Sequence, residues 1–410
     1  MTENAESAPL AGIKVLEVAS WVFVPSATAV LAEWGAEVIK IENPAGGDPQ
    51  RGLVSAGFGT SGGAVNHLFE VPNRGKRSVA VDLKHPDGLD LVLRLARECD
   101  VFATNLLPNQ RRSLRLDVAD IERENNRVVY AIGSGVGERG DESGRGGFDL
   151  STYWARALAF ATTPRLAEYP VNMPAPAFGD LGAGLALAGG VALALFQRER
   201  TGRSAVVDNS LVGMAAWASA MNIVGVALSG REGQTQWEHT EPPNPLVNYY
   251  RTSDGRFIHL NMLQADRWWP DLTRALGRPD LEDDPRWVDR PRSSPAGEVV
   301  ELLDGIFATR TLDEWCQALA VLSGGAVWER VRSGAEIVED QQLRQSGVVR
   351  DVVAGDVTYP LVSPPVQVQA TSRGIERPAP QLGEHTDEVL LELGLTMDEI
   401  IDLKVRGALL

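Results

Sequence analysis

The chain has 410 residues, 44% of them hydrophobic, a folded-protein composition too long for one ordinary core, so two or three domains are expected. With 39 Lys and Arg against 55 Asp and Glu, the formal charge is −16, which argues against nucleic acid or an anionic membrane as the main partner. Cys99 and Cys316 are the only cysteines and lack metal-ligand spacing; they read as packed thiols, with no metal site and no disulfide framework.

The opening MTENAESAPLAG lacks the basic start and apolar stretch of a signal peptide, so a cytoplasmic location is the default expectation. "IKVLEVA" (13–19) reads as a buried strand, "PSATAVLAEWGA" as a helix stopped at Gly35, and "EVIKIE" (37–42) as a second strand. The βαβ scheme recurs with "SVAVDL" (78–83), the helix "DGLDLVLRLARE", "VFATN" (101–105) and "RVVYAIG" (127–133). This alternation predicts an α/β fold with a mostly parallel sheet, whose ligand crevice lies beyond the carboxyl ends of the strands.

The stretch "PAPAFGDLGAGLALAGGVALALFQRERTGR" (174–203) carries one carboxylate, Asp180, ahead of a run without charge until Arg198. Asp is a favoured N-cap, and capping is the simplest reading of an isolated acid there. Leu181 to Phe196 is apolar on every side, which predicts a helix buried all round. At about 1.5 Å per residue it spans roughly 24 Å, short of a bilayer's roughly 30 Å, so it reads as a core helix rather than a membrane span. Gly179, Gly182 and Gly184 surround the acid with small residues that let a ligand approach the backbone.

From about residue 216 the texture changes. "NPLVNYYRTSDGRFIHLNM" predicts a hairpin around Asp254-Gly255, followed by an aromatic helix in "ADRWWPDLTRALG", a smaller α+β domain. "GVVRDVVAGDVTYPLVSPPVQVQA" is again strand-like, and the chain closes with two short helices, the second opened by a capping box at Thr396 and Glu399.

Taken in order, "PLAGIKVLEVASWVFVPSATAVLAEWGAEVIKIENPAGGDPQR" (9–51), "NRGKRSVAVDLKHPDG" (73–88), "GGFDLSTY" (146–153), "FGDLGAGLALAGGVALALFQRERTGR" (178–203), "YYRTSDGRFIHL" (249–260) and "LGEHTDEVLLELGL" (382–395) resemble the family III CoA-transferases. That group includes formyl-CoA transferase, carnitine CoA-transferase and α-methylacyl-CoA racemase. The resemblance implies a Rossmann-like large domain built from both chain ends (1–215 and 336–410), a small domain between them (216–335), and an interlocked homodimer.

It also implies that Asp180 is the catalytic aspartate, attacking an acyl-CoA thioester and carrying CoA to an acceptor carboxylic acid through anhydride and aspartyl-CoA intermediates. Helix N–H groups are expected to favour the anion against desolvation, and Gly182 and Gly184 to leave room for the thioester. Backbone amides near 20–24 or 135–137 are the candidate oxyanion donors. By family position CoA is contacted by Asn43, Val81, Lys84, Asn105, Arg112 and Ser134, and the substrate pocket is formed by Trp21, Val22, Phe23, Phe148, Tyr153 and Gln264. The pattern departs at Asn43 and Ser113, where relatives carry Arg; Arg111 and Arg112 are adjacent substitutes. CoA thioester is substrate, and no permanently bound cofactor is implied.

The racemases of the same group use a His in a "GHD" triplet, supported by a Glu from the small domain. Here the triplet is Gly147-Phe148-Asp149 and the Glu position falls on Gln264, so CoA transfer is preferred to racemisation or intramolecular isomerisation. A non-catalytic acyl-CoA-binding paralogue is the other alternative. The region 230–247 holds only Gly230 and Gly233, so a glycine-rich lid over the intermediate is absent or replaced. Trp154, Trp217, Trp237, Trp268 and Trp269 are read as core or dimer-interface residues, whereas Trp21 and Phe23 suggest a bulky apolar acyl group.

Overall fold

A computed structural model describes residues 8–53, 65–164, 166–230, 237–288, 296–325, 327–368 and 377–410. Contacts divide the chain into two units. The first comprises the chain up to Phe160, Asn172–Leu228 and Gln341–Leu410; the second comprises Ala161–Val171 and Ser229–Asp340. The contact division thus changes unit at 160/161, 171/172, 228/229 and 340/341.

In the first unit, short β-branched runs pair into a six-stranded parallel sheet. The strands are β1 (Lys14–Val18), β2 (Glu37–Glu42), β3 (Arg77–Ala80), β4 (Val101–Thr104), β5 (Val129–Ser134) and β6 (Val206–Ser210). Their spatial order is β3-β2-β1-β4-β5-β6, and Val15 stands in register with both Val38 and Val101. Strand order reverses between β1 and β4, the position at which open α/β sheets bind ligands beyond their carboxyl ends. Successive strand residues point to opposite faces. Val15, Val38, Val101 and Val129 accordingly enter one core, with α1 (Phe23–Glu33). Leu16, Phe102 and Tyr130 enter another, with α2 (Pro86–Glu98) and the C-terminal helices. Those last helices, Thr386–Glu392 and Met397–Val405, end the chain, and Thr396 and Glu399 form the expected capping box.

The 174–203 stretch folds differently from its sequence reading. Helix α3 runs from Phe178 to Thr201, 24 residues or about 36 Å, so length and apolarity alone would let it cross a membrane. Nor is it buried all round. Ala183, Gly184, Leu187, Ala188, Val191, Ala194 and Leu195 form the buried stripe, whereas Leu193 is 68% and Phe196 59% exposed. The stripe faces α1, where the approach is close enough that a Cβ on Gly184 would lie 1.9 Å from Ser26 Oγ and 2.8 Å from the Phe23 carbonyl oxygen. Gly184 is thus used for helix packing, not to make room for a thioester. Arg198 anchors the far end, pairing with Asp100 at 2.8 Å and donating to the Arg127 carbonyl.

The second unit has a three-stranded antiparallel sheet of Val247–Arg251, Phe257–Asn261 and Trp328–Arg330. Its hairpin turns through Gly255 at φ +77°, the left-handed conformation that glycine adopts without strain. Trp269, on the aromatic helix Ala265–Ala275, stacks on Trp287 with centroids 4.3 Å apart inside this unit's core. The strand-like stretch after 347 forms a hairpin of Val349–Ala354 and Val357–Val362 in the first unit.

Candidate active site

Three helical segments of the first unit begin where loops meet: α1 after β1, a π-helical segment Asp149–Leu158 after β5, and α3. Asp180 is the third residue of α3, not its N-cap; that position belongs to Ala177 at φ +57°. The acid that satisfies the helix start is Asp149, whose Oδ2 accepts the Gly179 N–H at 3.1 Å. Gly179 permits this approach, since a Cβ there would lie 2.4 Å from Asp149 Oδ1 and 2.3 Å from the Tyr153 ring.

Asp180 is partly buried, and its carboxylate has no hydrogen-bonding or ion-pair partner among the described residues. Burial first, and the Asp149 charge second, push its pKa up to about 7. Burial thus outweighs the helix N–H groups that were expected to favour the anion. Asp149 is also raised by burial, although backbone N–H groups of Gly179 and Asp180 act against the rise. Two neighbouring carboxyl groups repel when both are ionised, so the environment favours a proton on one of them.

Beside this pair stands an aromatic contact. The rings of Trp21 and Phe148 meet edge to face, with centroids 5.4 Å apart and planes at 84°. Phe148 is 61% exposed and Trp21 half-buried, so the two form a rim next to Asp149. Tyr153 is buried and meets the Phe178 ring at 6.5 Å. Val22 and Phe23 are also buried, and Phe23 belongs to the core rather than lining an open pocket. Gln264 lies exposed in the second unit, where its side chain accepts from Arg267 at 3.2 Å.

Several expected CoA contacts are already engaged. Val81 is 1% exposed and gives its N–H to the Glu42 carbonyl, so its side chain is a core residue. Asn105 uses both ends of its amide on Ser20, donating to the carbonyl at 2.6 Å and accepting the N–H at 3.1 Å. This clasp closes the strand-order switch between β1 and β4. Arg111 is buried between Glu138 and Asp117, which removes it as a phosphate partner, whereas Arg112 and Lys84 are exposed and form no ion pair among the described residues. Asn43 is exposed after β2 and accepts from Ala45 N–H at 2.8 Å. Ser134 Oγ accepts from Gly137 N–H at 3.0 Å. Of the candidate oxyanion donors, the Ser20, Trp21 and Gly137 amides are thus taken.

A buried ionic network under the same loops escaped the sequence reading. Glu17, fully buried, pairs with Lys40 and Lys76 at 2.6 Å each, and Lys40 reaches Asp48 at 2.9 Å. Glu17 is held near 2 by these ammonium groups despite its burial, while burial pulls Lys76 down to about 7. The signal available was the charged Lys40 in the middle of a strand bounded by apolar neighbours, a residue almost never buried unless paired. Two of the first unit's histidines serve its backbone instead: His85 accepts the Asp87 N–H and His385 the Ser78 N–H. Among the described residues no group of three or more His, Cys, Asp or Glu could hold a metal ion. Gly233 lies outside the described residues.

The mixed α/β unit has the strand order of open dinucleotide-binding-type sheets, and comparison identifies the family. The family model for CoA-transferase family III matches residues 10–386, and the chain belongs to that family of enzymes. It is 29% identical to (R)-2-hydroxy-4-methylpentanoate CoA-transferase of Clostridioides difficile, across 96% of this chain and 98% of that one. It is also 29% identical to cinnamoyl-CoA:phenyllactate CoA-transferase of Clostridium sporogenes, across 96% and 95%. The crystal structure of Rv3272 from Mycobacterium tuberculosis superposes with a TM-score of 0.76 at 28% identity, covering 92% of this chain and 98% of that one.

Proposed function

We propose that the protein transfers CoA from an acyl-CoA thioester to a carboxylic acid with Asp180 as the covalent nucleophile. The observation that carries this reading is a partly buried carboxyl without a partner among the described residues, raised to about 7, at the start of α3. An Asp satisfied by capping would be a poor nucleophile; here Asp149 does the capping and Asp180 is left reactive.

The ionised Asp180 oxygen attacks the thioester carbonyl carbon, the C–S bond breaks, and CoA leaves as thiolate. That thiolate attacks the Asp180 carbonyl of the mixed anhydride, releasing the donor acid and forming an aspartyl-CoA thioester. The acceptor carboxylate then attacks this thioester, expels the thiolate and forms a second anhydride. Attack of the thiolate on the acceptor's acyl carbon gives the new acyl-CoA and restores Asp180. Each intermediate is destroyed by water, which favours a dry site. The first amides of α1, at Phe23 and Val24, have no intrahelical acceptor and are among the candidate donors for a developing oxyanion.

Lys84 and Arg112, exposed beyond the ends of β3 and β4, are suited to the CoA phosphates, with Asn43 and the Ser134 hydroxyl as polar partners. The Trp21–Phe148 rim suits a bulky apolar acyl group, and two relatives are named for branched or aryl acids. Phe148 accepts no proton, which favours transfer over racemisation at this site. Two copies are proposed to associate through the apolar surface of α3 and the helices Leu211–Ala218 and Ala220–Ser229, where Trp217 is 77% and Met221 92% exposed. Replacing Asp180 by Asn or Ala tests the reading: transfer should fall by at least about 10³-fold while CoA-ester binding persists. Near-normal turnover in both variants would overturn it.

A further inference from the structure

Residues 19–21 join β1 to α1, and each is held by a side chain from another part of the sheet. Lys40 Nζ donates to the Ala19 carbonyl at 2.9 Å, and Asn105 clasps Ser20. Asp48 Oδ1 accepts the Trp21 N–H at 3.1 Å and the Gln50 N–H at 3.0 Å. Asp48 is 2% exposed, and its second oxygen lies 2.9 Å from Lys40. Trp21 itself sits at φ +70°, a left-handed conformation unfavourable to a bulky side chain that persists only where surrounding groups enforce it. Rotating out of it would swing the indole off Phe148.

We propose that Asp48 is a positioning residue for CoA transfer: its carboxylate oxygen holds the Trp21 N–H in the left-handed turn and so fixes the indole against Phe148, at the rim beside Asp180. The role needs both carboxylate oxygens: Oδ1 takes the Trp21 and Gln50 N–H groups, and Oδ2 faces the Lys40 ammonium at 2.9 Å, whose other buried carboxylate, Glu17, is shared with Lys76. Asn keeps one acceptor oxygen but turns an NH2 donor on either Lys40 or the Trp21 N–H; Glu keeps the charge and moves the oxygens by one methylene. The proposal rests on the reading of Trp21 and Phe148 as the acyl rim of a transferase.

The test compares Asp48→Asn, Asp48→Glu, Trp21→Ala and the double variant Asp48→Glu/Trp21→Ala, measuring kcat and KM with an arylacyl-CoA and with acetyl-CoA. Asp48→Asn and Asp48→Glu are each expected to lose about tenfold or more in kcat with the arylacyl donor. In the Trp21→Ala background Asp48→Glu should cost less than about twofold, because the group it positions is gone. Either single Asp48 variant keeping near-parental kcat, or the Glu and Ala effects multiplying, would overturn the role. Should Asp48→Glu not fold, hydrogen exchange across residues 19–26 decides with Asp48→Asn alone: lost Trp21 amide protection supports the proposal and retained protection refutes it. These comparisons do not depend on which group attacks the thioester, so loss of the Asp180 reading and loss of the Asp48 role are separable.

Discussion

Asp149 Oδ2 accepts the Gly179 backbone N–H at 3.1 Å, placing a second carboxylate one residue from Asp180 and taking over the cap of α3. This division of labour leaves Asp180 without a bond to stabilise its charge, and its raised pKa follows from burial and from the neighbouring charge.

A transfer step that needs the Asp180 anion should speed up as pH rises through about 7, the value to which the group is raised. In Asp149→Asn the amide oxygen can still accept from Gly179, while the neighbouring charge is lost. The acid limb of a kcat/KM profile should therefore move to lower pH, by less than the whole rise because burial is its larger cause. An unmoved limb would show that Asp149 does not act on the titrating group.

The same shift has a consequence for stability. Folded Asp180 keeps its proton to about 7, whereas the ordinary value of 3.8 applies once the chain unfolds. Between those values the native state binds more protons, so this group's contribution to stability is present at low pH and is lost as pH rises through about 7. Asp180→Asn, which cannot ionise, should melt within about 1 °C of the parent near pH 4 and about 2 °C or more above it at pH 8. Equal melting temperatures at both pH values would contradict the burial of an ionisable group here.

Gly184→Ala should destabilise the first unit by about 1–3 kcal/mol through overpacking, since the new methyl meets Ser26 Oγ and the Phe23 carbonyl. Adding Ser26→Ala should recover part of the loss, and only part, because the carbonyl remains. Thermal melts of the two variants give the comparison; full recovery would mean that the backbone contact yields freely.

Much of the sheet was legible in the sequence because fully buried parallel strands read as short β-branched runs, and five of the six were located within a few residues. The sixth, "VVDNS", carries only two apolar residues and was missed. The start of α3 was misread because Ala177 at φ +57° and the remote Asp149 perform what a local N-cap usually does. Its burial was misread because a helix apolar all round is indistinguishable, in sequence, from one that leaves an apolar face uncovered by its own chain, as at Leu193 and Phe196. Asp180 was singled out by resemblance; nothing in its own spacing separates a nucleophile from a cap. Asn105 and Val81 were placed by position, and only the folded chain reveals that their polar groups are spent on Ser20 and Glu42.

If the exposed apolar face of α3 is a subunit interface, Leu193→Asp with Phe196→Asp should weaken it, since both side chains project from that face. Sedimentation velocity should report a dimer for the parent and a shift towards monomer for the variant, with transfer activity falling in parallel. A monomeric parent would contradict the proposed assembly.

The central claim is a covalent bond to one side chain, and peptide mapping by mass spectrometry tests it most directly. The enzyme is incubated with acyl-CoA in the absence of acceptor, quenched with hydroxylamine or borohydride, and digested. The account predicts a modification on the peptide bearing Asp180, absent from Asp180→Asn. Modification at another carboxylate, or turnover with no modified peptide at any time, would contradict it.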